Sequence, residues 1–430
     1  MHDEADTKTI TVRASAGDNA AQAQLGLRLF QTGQIQEALP WIEKAAAAEQ
    51  VLALNLLGVM HLNGVAVPLD MRRAATLLSR ASELGLREAN YTLAGMHAAG
   101  FGVTADPRRA WQFLIRACRS GHPPALRAAG VLYLIARPGD MNGVRLLRIA
   151  AERADGLAQA MLAVWLAQNG SAQELAEARY WLDQSGAHSR ISGHLKPDLP
   201  PAGVAPDRPM GEPDWERLEP VIPPTEPAGK SQTLIKNVVY EIHDALPYLA
   251  CEYLITLSAP RLKPSMVVDP QTGRQAVNPV RSSHSMYLPP NMCDCVVSYV
   301  SGLMARLAEL PATHSEPISI LHYSPGQEYK PHQDYFVGTA AGDTRIEQQG
   351  GQRKVTVFTY LSEVQEGGET DFPELHLRIR PARGKAVKFM NLDADDMPNP
   401  MTLHAGRPVI QGEKWLATFW FRQRPFVWEI

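Results

Sequence analysis

Four cysteines, Cys118, Cys251, Cys293 and Cys295, are all that 430 residues contain. That is too few for a disulfide framework and fits a reducing compartment. Cys293 and Cys295 stand two apart, yet no second cysteine or histidine pair lies nearby at zinc spacing, so both read as packed thiols. A dominant charge is lacking too: 42 Lys+Arg face 45 Asp+Glu, for a formal net charge of −3. With that balance there is no general electrostatic field to draw in nucleic acid or an acidic membrane. No apolar run approaches bilayer-spanning length. The opening Met1-His2-Asp3-Glu4-Ala5-Asp6 is acidic with no apolar stretch behind it, unlike a secretory signal. A cytoplasmic location is the resulting expectation, with neither nucleic acid nor membrane as partner.

What is present divides the chain in two. Residues 16–188 are rich in Ala and Leu and self-similar at a period of about 36 residues. Leu25-Gly26, Leu57-Gly58, Ala94-Gly95 and Ala129-Gly130 recur, as do Gln36-Glu37-Ala38, Arg72-Arg73-Ala74 and Arg108-Arg109-Ala110. Gly85 and Gly121 mark helix ends, and Gly64-Val65 and Gly102-Val103 mark the loops between paired helices. These residues resemble Sel1-like repeats, relatives of the tetratricopeptide repeat. The first repeat lacks the Gly-Val loop, and those near Asp140 and Ser171 diverge further. Stacked helix pairs of this kind bury a face that none could bury alone and leave a curved surface suited to polypeptides. His61 and His97 occupy the slot held elsewhere by Phe30 and Tyr133, which assigns them to packing.

Residues 189–230 lose the period and become proline-dense, as an extended linker does. Residues 231–430 then form a second domain, with its core at about 318–425. Strands are expected at Lys236–Ile242, Ile318–Tyr323, Val355–Leu361, Ala386–Phe389 and Leu416–Phe421, and helices at Ala250–Leu257 and Val296–Leu310. The fold class is therefore multidomain α + β: an N-terminal α-helical repeat solenoid, then a jelly roll (double-stranded β-helix) with bracing helices.

Within the second domain, His332 and Asp334 stand two apart in a strand-like segment, where the period of two puts both side chains on one face. His404 offers a third ligand from a distant strand. Two imidazoles and one carboxylate on one side of iron leave open positions for oxygen and a cosubstrate, the pattern of Fe(II) oxygenases. His322, His314 and His376 have no partner at metal spacing.

The surrounding motifs extend this reading. In order come Leu262-Lys263-Pro264-Ser265, Thr272-Gly273, Arg281-Ser282-Ser283, His322-Tyr323, Gly326-Gln327 with Tyr329, and His332 with Asp334. Arg353 to Leu361, Gly367-Gly368-Glu369-Thr370-Asp371-Phe372-Pro373, Leu403-His404-Ala405-Gly406 and Gly412-Glu413-Lys414-Trp415 follow. From about residue 235 to 425 the chain resembles the prolyl 4-hydroxylase family of Fe(II)- and 2-oxoglutarate-dependent dioxygenases.

That resemblance implies Fe2+ held by His332, Asp334 and His404, and 2-oxoglutarate as cosubstrate, with Lys414 pairing its far carboxylate and Tyr323 donating to the same group. A buried ammonium needs such an anionic partner. Thr370 and Trp420 match positions lining the cosubstrate and metal pocket, and Arg281 and Arg353 match positions associated with substrate. The implied reaction consumes O2, releases succinate and CO2, uses L-ascorbate to rescue oxidised iron, and hydroxylates peptidyl proline at carbon 4. The retained carboxylate Asp334 favours hydroxylation over halogenation, and the repeats favour a protein or peptide substrate or partner. Two alternatives stand beside it: the same chemistry on another side chain or a small molecule, and a repeat-based adaptor with an inactive oxygenase domain.

Overall fold

In the computed structural model the described residues are all except 1, 190–198, 207–210, 217, 219, 222–225, 269–274, 278–279, 337–347 and 429–430. Thr272-Gly273 and much of the proline-dense linker lie outside them. Eleven helices come first: α1 (His2–Ser15), α2 (Asn19–Gln31), α3 (Ile35–Ala47), α4 (Val51–Asn63), α5 (Met71–Glu83), α6 (Arg87–Ala99), α7 (Pro107–Arg119), α8 (Pro123–Ala136), α9 (Met141–Glu152), α10 (Gly156–Asn169) and α11 (Ala172–Gln184). None of the described helices is long and apolar enough to cross a membrane.

The repeat pattern is set by local chemistry. Asp70 and Asp106 cap α5 and α7 by accepting from backbone N–H groups of the first turn, and Pro107 starts α7 where no N–H is needed. Gly64 and Gly100 end α4 and α6 in the left-handed region, at φ +64° and +78°. At the small-residue slot, a Cβ on Gly26 would stand 2.7 Å from Ile42, and one on Gly58 would stand 2.8 Å from Leu78. These glycines let paired helices close on each other. His97 is buried and stacked on Phe113, as the packing assignment requires.

The strand-rich part opens with a difference from expectation. The strand expected over Lys236–Ile242 starts only at Val239, as β2 (Val239–Ile242): Lys236–Val238 form the turn that joins it to β1 (Ser231–Ile235), because Asn237 takes the left-handed conformation at φ +61° and turns the chain. The large antiparallel sheet runs β1, β2, β13 (Ala386–Met390), β9 (Arg353–Tyr360), β16 (Lys414–Arg422), β7 (Ser319–Tyr323), β6 (His284–Tyr287) and β3 (Lys263–Pro264). A smaller one runs β12 (Leu377–Ile379), β11 (Thr370–Phe372), β14 (His404–Gly406) and β8 (Tyr329–His332). Two further pairs are β10 (Val364–Gly367) with β15 (Val409–Gly412), and β4 (Met266–Val268) with β5 (Gln275–Val277).

The two main sheets share one core. Phe358, Val387, Phe389 and Leu416 of the large sheet pack with Phe372 and Ile379 of the small one, and Phe372 meets Phe389 edge-on at 5.4 Å. Two helices brace the large sheet: α12 (Tyr248–Ser258), which packs on β7, and α13 (Cys295–Ala308), whose Met304 sulfur accepts from Thr359 Oγ1 on β9.

By contacts the chain forms two compact units. One runs from the start through Ala125 and includes Pro289–Cys295 and Trp428; the other holds Leu126–Leu288 and Val296–Val427. In the second, buried Arg127 of α8 pairs with Asp155 and donates to the Tyr253 hydroxyl of α12, so the last repeats and the bracing helix share an interior.

Candidate active site

The cavity between the sheets is built from alternation. Residues 414, 416, 418 and 420 of β16 line it together with 356 and 358 of β9 and 321 and 323 of β7, since every second side chain of neighbouring strands points inward. From the small sheet come His332, Thr370, His404 and Gly406. Antiparallel register places His404 opposite His332.

His332, Asp334 and His404 bring one donor atom each to within 4.8 Å of the others. His332 Nε2 is 3.9 Å from Asp334 Oδ1, and His404 Nε2 is 4.0 Å from Asp334 Oδ2. Each imidazole uses its other nitrogen on the backbone: His332 Nδ1 lies 2.9 Å from the Lys330 carbonyl and His404 Nδ1 lies 2.9 Å from that of Thr402. A carbonyl can only accept, so Nδ1 carries the proton and Nε2 presents its lone pair. Burial, reinforced by His404, pushes His332 down to about 3 and keeps it neutral. For Asp334 burial alone would raise the carboxyl; His404, His332, Arg353 and the Thr356 hydroxyl outweigh it and hold the group ionised. The donor set fits Fe2+.

Asp334 differs from expectation in one respect. β8 ends at His332, so Asp334 reaches the cluster from a bend beyond the strand. What holds it there is a set of partners remote in sequence. Thr356 Oγ1 donates to Asp334 Oδ2 at 2.8 Å, and Asn391 Nδ2 in turn donates to Thr356 Oγ1 at 2.8 Å. Arg353 Nη1 lies 3.3 Å from the Asp334 carbonyl, while its other nitrogens grip Glu316 at 2.7 and 2.8 Å. Arg422 pairs with the same Glu316, and Arg353 lies 4.0 Å above the Trp420 ring. Thr356, Asn391, Glu316 and Arg422 are therefore site residues that the motifs did not single out. Thr356→Val, which keeps shape and removes the donor, is expected to weaken Fe(II) binding by about 10- to 100-fold in a metal titration.

The other expected residues fall as follows. Lys414 is buried, opposite Tyr323 in register, with Nζ 5.5 and 5.6 Å from the rings of Tyr323 and Tyr360. No carboxylate of the described residues makes an ion pair with it. Burial pushes it down to about 7, with Glu369 the opposing influence. Thr370 lines the cavity, its hydroxyl 2.7 Å from that of Tyr360. Trp420 and Arg281 also line it, and Trp420 Nε1 and Arg281 Nη2 are buried donors with no hydrogen-bond partner among the described residues. Arg281 lies 4.9 Å above the Tyr329 ring, and Tyr329 stacks on His332. Arg353 does not reach the cavity lining; it stands behind Asp334.

An anion seated against Lys414 restores its charge. Above pH 7 the empty site holds mostly neutral lysine, so binding a dicarboxylate at pH 8 takes up close to one proton, and at pH 6 takes up none. Calorimetric titration of 2-oxoglutarate in buffers of different ionisation enthalpy is expected to show that difference, and Lys414→Arg to remove it.

Comparison with known proteins finds relatives of both parts of the chain. Residues 318–422 match the 2OG-Fe(II) oxygenase superfamily, and 19–49, 51–86, 87–122 and 156–188 match the Sel1 repeat. Two Arabidopsis thaliana proteins, probable prolyl 4-hydroxylase 3 and prolyl 4-hydroxylase 1, are each 36% identical over 197 residues, covering 41% and 43% of this chain and 67% and 68% of their own lengths. Among solved structures, a viral collagen prolyl hydroxylase from Paramecium Bursaria Chlorella virus-1 is 26% identical, over 44% of this chain and 98% of its own, with a TM-score of 0.34. A Sel1 repeat protein from Oxalobacter formigenes is 24% identical over 40% of this chain and 74% of its own, at 0.36.

Fold and site together define an Fe(II)- and 2-oxoglutarate-dependent oxygenase. Within that class the chain belongs to the prolyl 4-hydroxylase family, and it carries Sel1 repeats ahead of the oxygenase domain.

Proposed function

We propose that the protein hydroxylates proline at carbon 4 in a polypeptide, with ascorbate restoring oxidised iron. The observation that carries this reading is one cavity in which the iron ligands, the buried Lys414 and two donors with no partner among the described residues, Arg281 Nη2 and Trp420 Nε1, all converge, in a chain 36% identical over 197 residues to a probable prolyl 4-hydroxylase.

Bound together, Fe2+ and 2-oxoglutarate supply oxidative decarboxylation of the keto acid and transfer of one oxygen atom into a C–H bond. The chain's residues prepare for it. His332 and His404 each hold a proton at Nδ1 on a backbone carbonyl, which turns Nε2 toward the metal position. Lys414 fixes the outer carboxylate deep in the cavity, with Tyr323 as a second donor, and thereby orients the cosubstrate relative to the triad. Leu321, Phe358 and Leu416 line the cavity with apolar surface that excludes water. Arg281 and Trp420 offer N–H groups to peptide carbonyl oxygens, which positions the ring carbon for attack. Arg353 acts through Asp334, whose carbonyl and loop it steadies.

A panel of peptides, proline-rich and proline-free, incubated with protein, Fe(II), 2-oxoglutarate and ascorbate tests the reading. The expected result is a mass gain of one oxygen atom on proline alone, mapped to carbon 4 by amino-acid analysis. Oxygen on another residue, or succinate release that no peptide stimulates, overturns the substrate assignment.

A further inference from the structure

The unit built by the first repeats contains a piece of chain from far along the sequence. Residues Pro289–Cys295 follow β6 and lead into α13, yet their contacts place them with the repeats, against α4 and α6. Three features hold them. Asn63, at the end of α4, accepts the backbone N–H of Asn291 through Oδ1 at 3.3 Å, with its own Nδ2 fixed on the Val59 carbonyl at 2.8 Å. The Tyr91 hydroxyl on α6 donates to Asp294 Oδ2 at 3.1 Å. One turn further along α6, Gly95 leaves room for backbone: a Cβ there would stand 2.6 Å from the Cys293 carbonyl oxygen. Trp428, near the other end of the sequence, meets Phe101 edge-on at 5.7 Å.

Gly95 is the informative residue, because the repeat does not require it. The spacing that superposes Arg72-Arg73-Ala74 on Arg108-Arg109-Ala110 also superposes Gly64 on Gly100 and Gly58 on Ala94. The small-residue slot of this repeat is thus filled by Ala94; Gly95, which the recurring pairs Leu57-Gly58 and Ala129-Gly130 would set in that slot, falls one position beyond it, where the neighbouring repeats carry Val59 and Val131. A glycine inside a helix weakens it, so its presence here answers to what lies outside the helix pair. What lies there is Cys293 and Asp294.

We propose that this face of α4 and α6 is a polypeptide-docking surface whose occupant is the chain's own Pro289–Cys295. The repeats recognise a backbone N–H, an acidic side chain and a close-packed carbonyl in cis, and so fix the turn that precedes α13. A foreign polypeptide reaches this face only by displacing that segment.

Thiol protection reads the docking without recourse to activity. Cys293 and Cys295 are buried in the segment, and Cys251, buried in α12 of the other unit, reports on the fold at large. Gly95→Val puts into α6 the residue that neighbouring repeats tolerate, and it conflicts with the segment alone. Alkylation of full-length protein by iodoacetamide, followed by peptide mass spectrometry, is expected to show Cys293 and Cys295 reacting faster than in the parent by on the order of tenfold or more, with Cys251 unchanged. Unaltered protection of Cys293 and Cys295 in the variant overturns the proposal, as does parent protein in which these two react as fast as in denaturant. Should all the cysteines open together, the combination of Tyr91→Phe and Asn63→Ala, which removes two hydrogen bonds and adds no bulk, gives the same two-way reading: selective exposure supports the docking, and uniform protection refutes it.

Discussion

His332→Ala is expected to reduce 2-oxoglutarate turnover by at least about a thousandfold, a rise of roughly 4 kcal/mol in the activation barrier. The reason is geometric. Three donor atoms converge within 4.8 Å, and each is prepared for a metal, the imidazoles by Nδ1–H bonds to backbone and the carboxylate by Thr356. Removing one leaves two ligands, too few to fix the ion against solvent exchange. The ring is 16% exposed and contributes one hydrogen bond and a stack on Tyr329, so the metal-free fold keeps most of its stability. Thermal unfolding separates the two effects: Fe(II) raises the melting temperature of the parent protein through binding to the native state, and leaves that of His332→Ala unmoved.

Lys414→Met carries the second large effect, and it has two signs. Loss of the ammonium removes the cation proposed to hold the outer carboxylate, and truncating one side of a buried charge pair costs about 2–5 kcal/mol, or roughly 30- to 5,000-fold in 2-oxoglutarate affinity. Without ligand the same substitution replaces a buried lysine that has no carboxylate partner among the described residues by an apolar chain of similar length. The ligand-free protein is therefore expected to become more stable, by about 1–3 kcal/mol. Denaturant unfolding and ligand titration of the same variant check both signs. A lysine of purely structural importance shows the opposite pattern, lower stability and unchanged affinity.

Local patterns in the sequence carried much of this site. The strand period of two, applied to the apolar runs of Lys414–Arg422 and Arg353–Tyr360, tells which side chains share a face, and the Gly and Asp positions show where the repeat helices begin and end. Contributions that pass through a partner distant in sequence are not written in any local pattern. Thr356 looks like one more β-branched strand residue until Asp334 is found 2.8 Å away, and Asn391 acts only through Thr356. Arg353 sits at a position associated with substrate, but Glu316, 37 residues earlier in the chain, turns it behind the iron ligand. Asn237 was hidden for a different reason: a single left-handed residue turns the chain, so the strand starts at Val239, three residues later than hydrophobic pattern alone suggests.

The repeats follow the same rule. Their helix pairs are legible because each closes on its sequence neighbour, whereas the docking of Pro289–Cys295 joins residues more than two hundred positions apart. Only the displaced glycine at 95 left a trace of it in the sequence.

The central claim is that His332, Asp334, His404 and Lys414 together couple 2-oxoglutarate decarboxylation to hydroxylation of a peptide. Turnover under isotopically heavy dioxygen tests it most directly. One labelled oxygen atom in succinate and one in the hydroxylated peptide, in equal amounts and both lost in His332→Ala, is the predicted result. Unlabelled peptide, or label in succinate that persists in the variant, contradicts it.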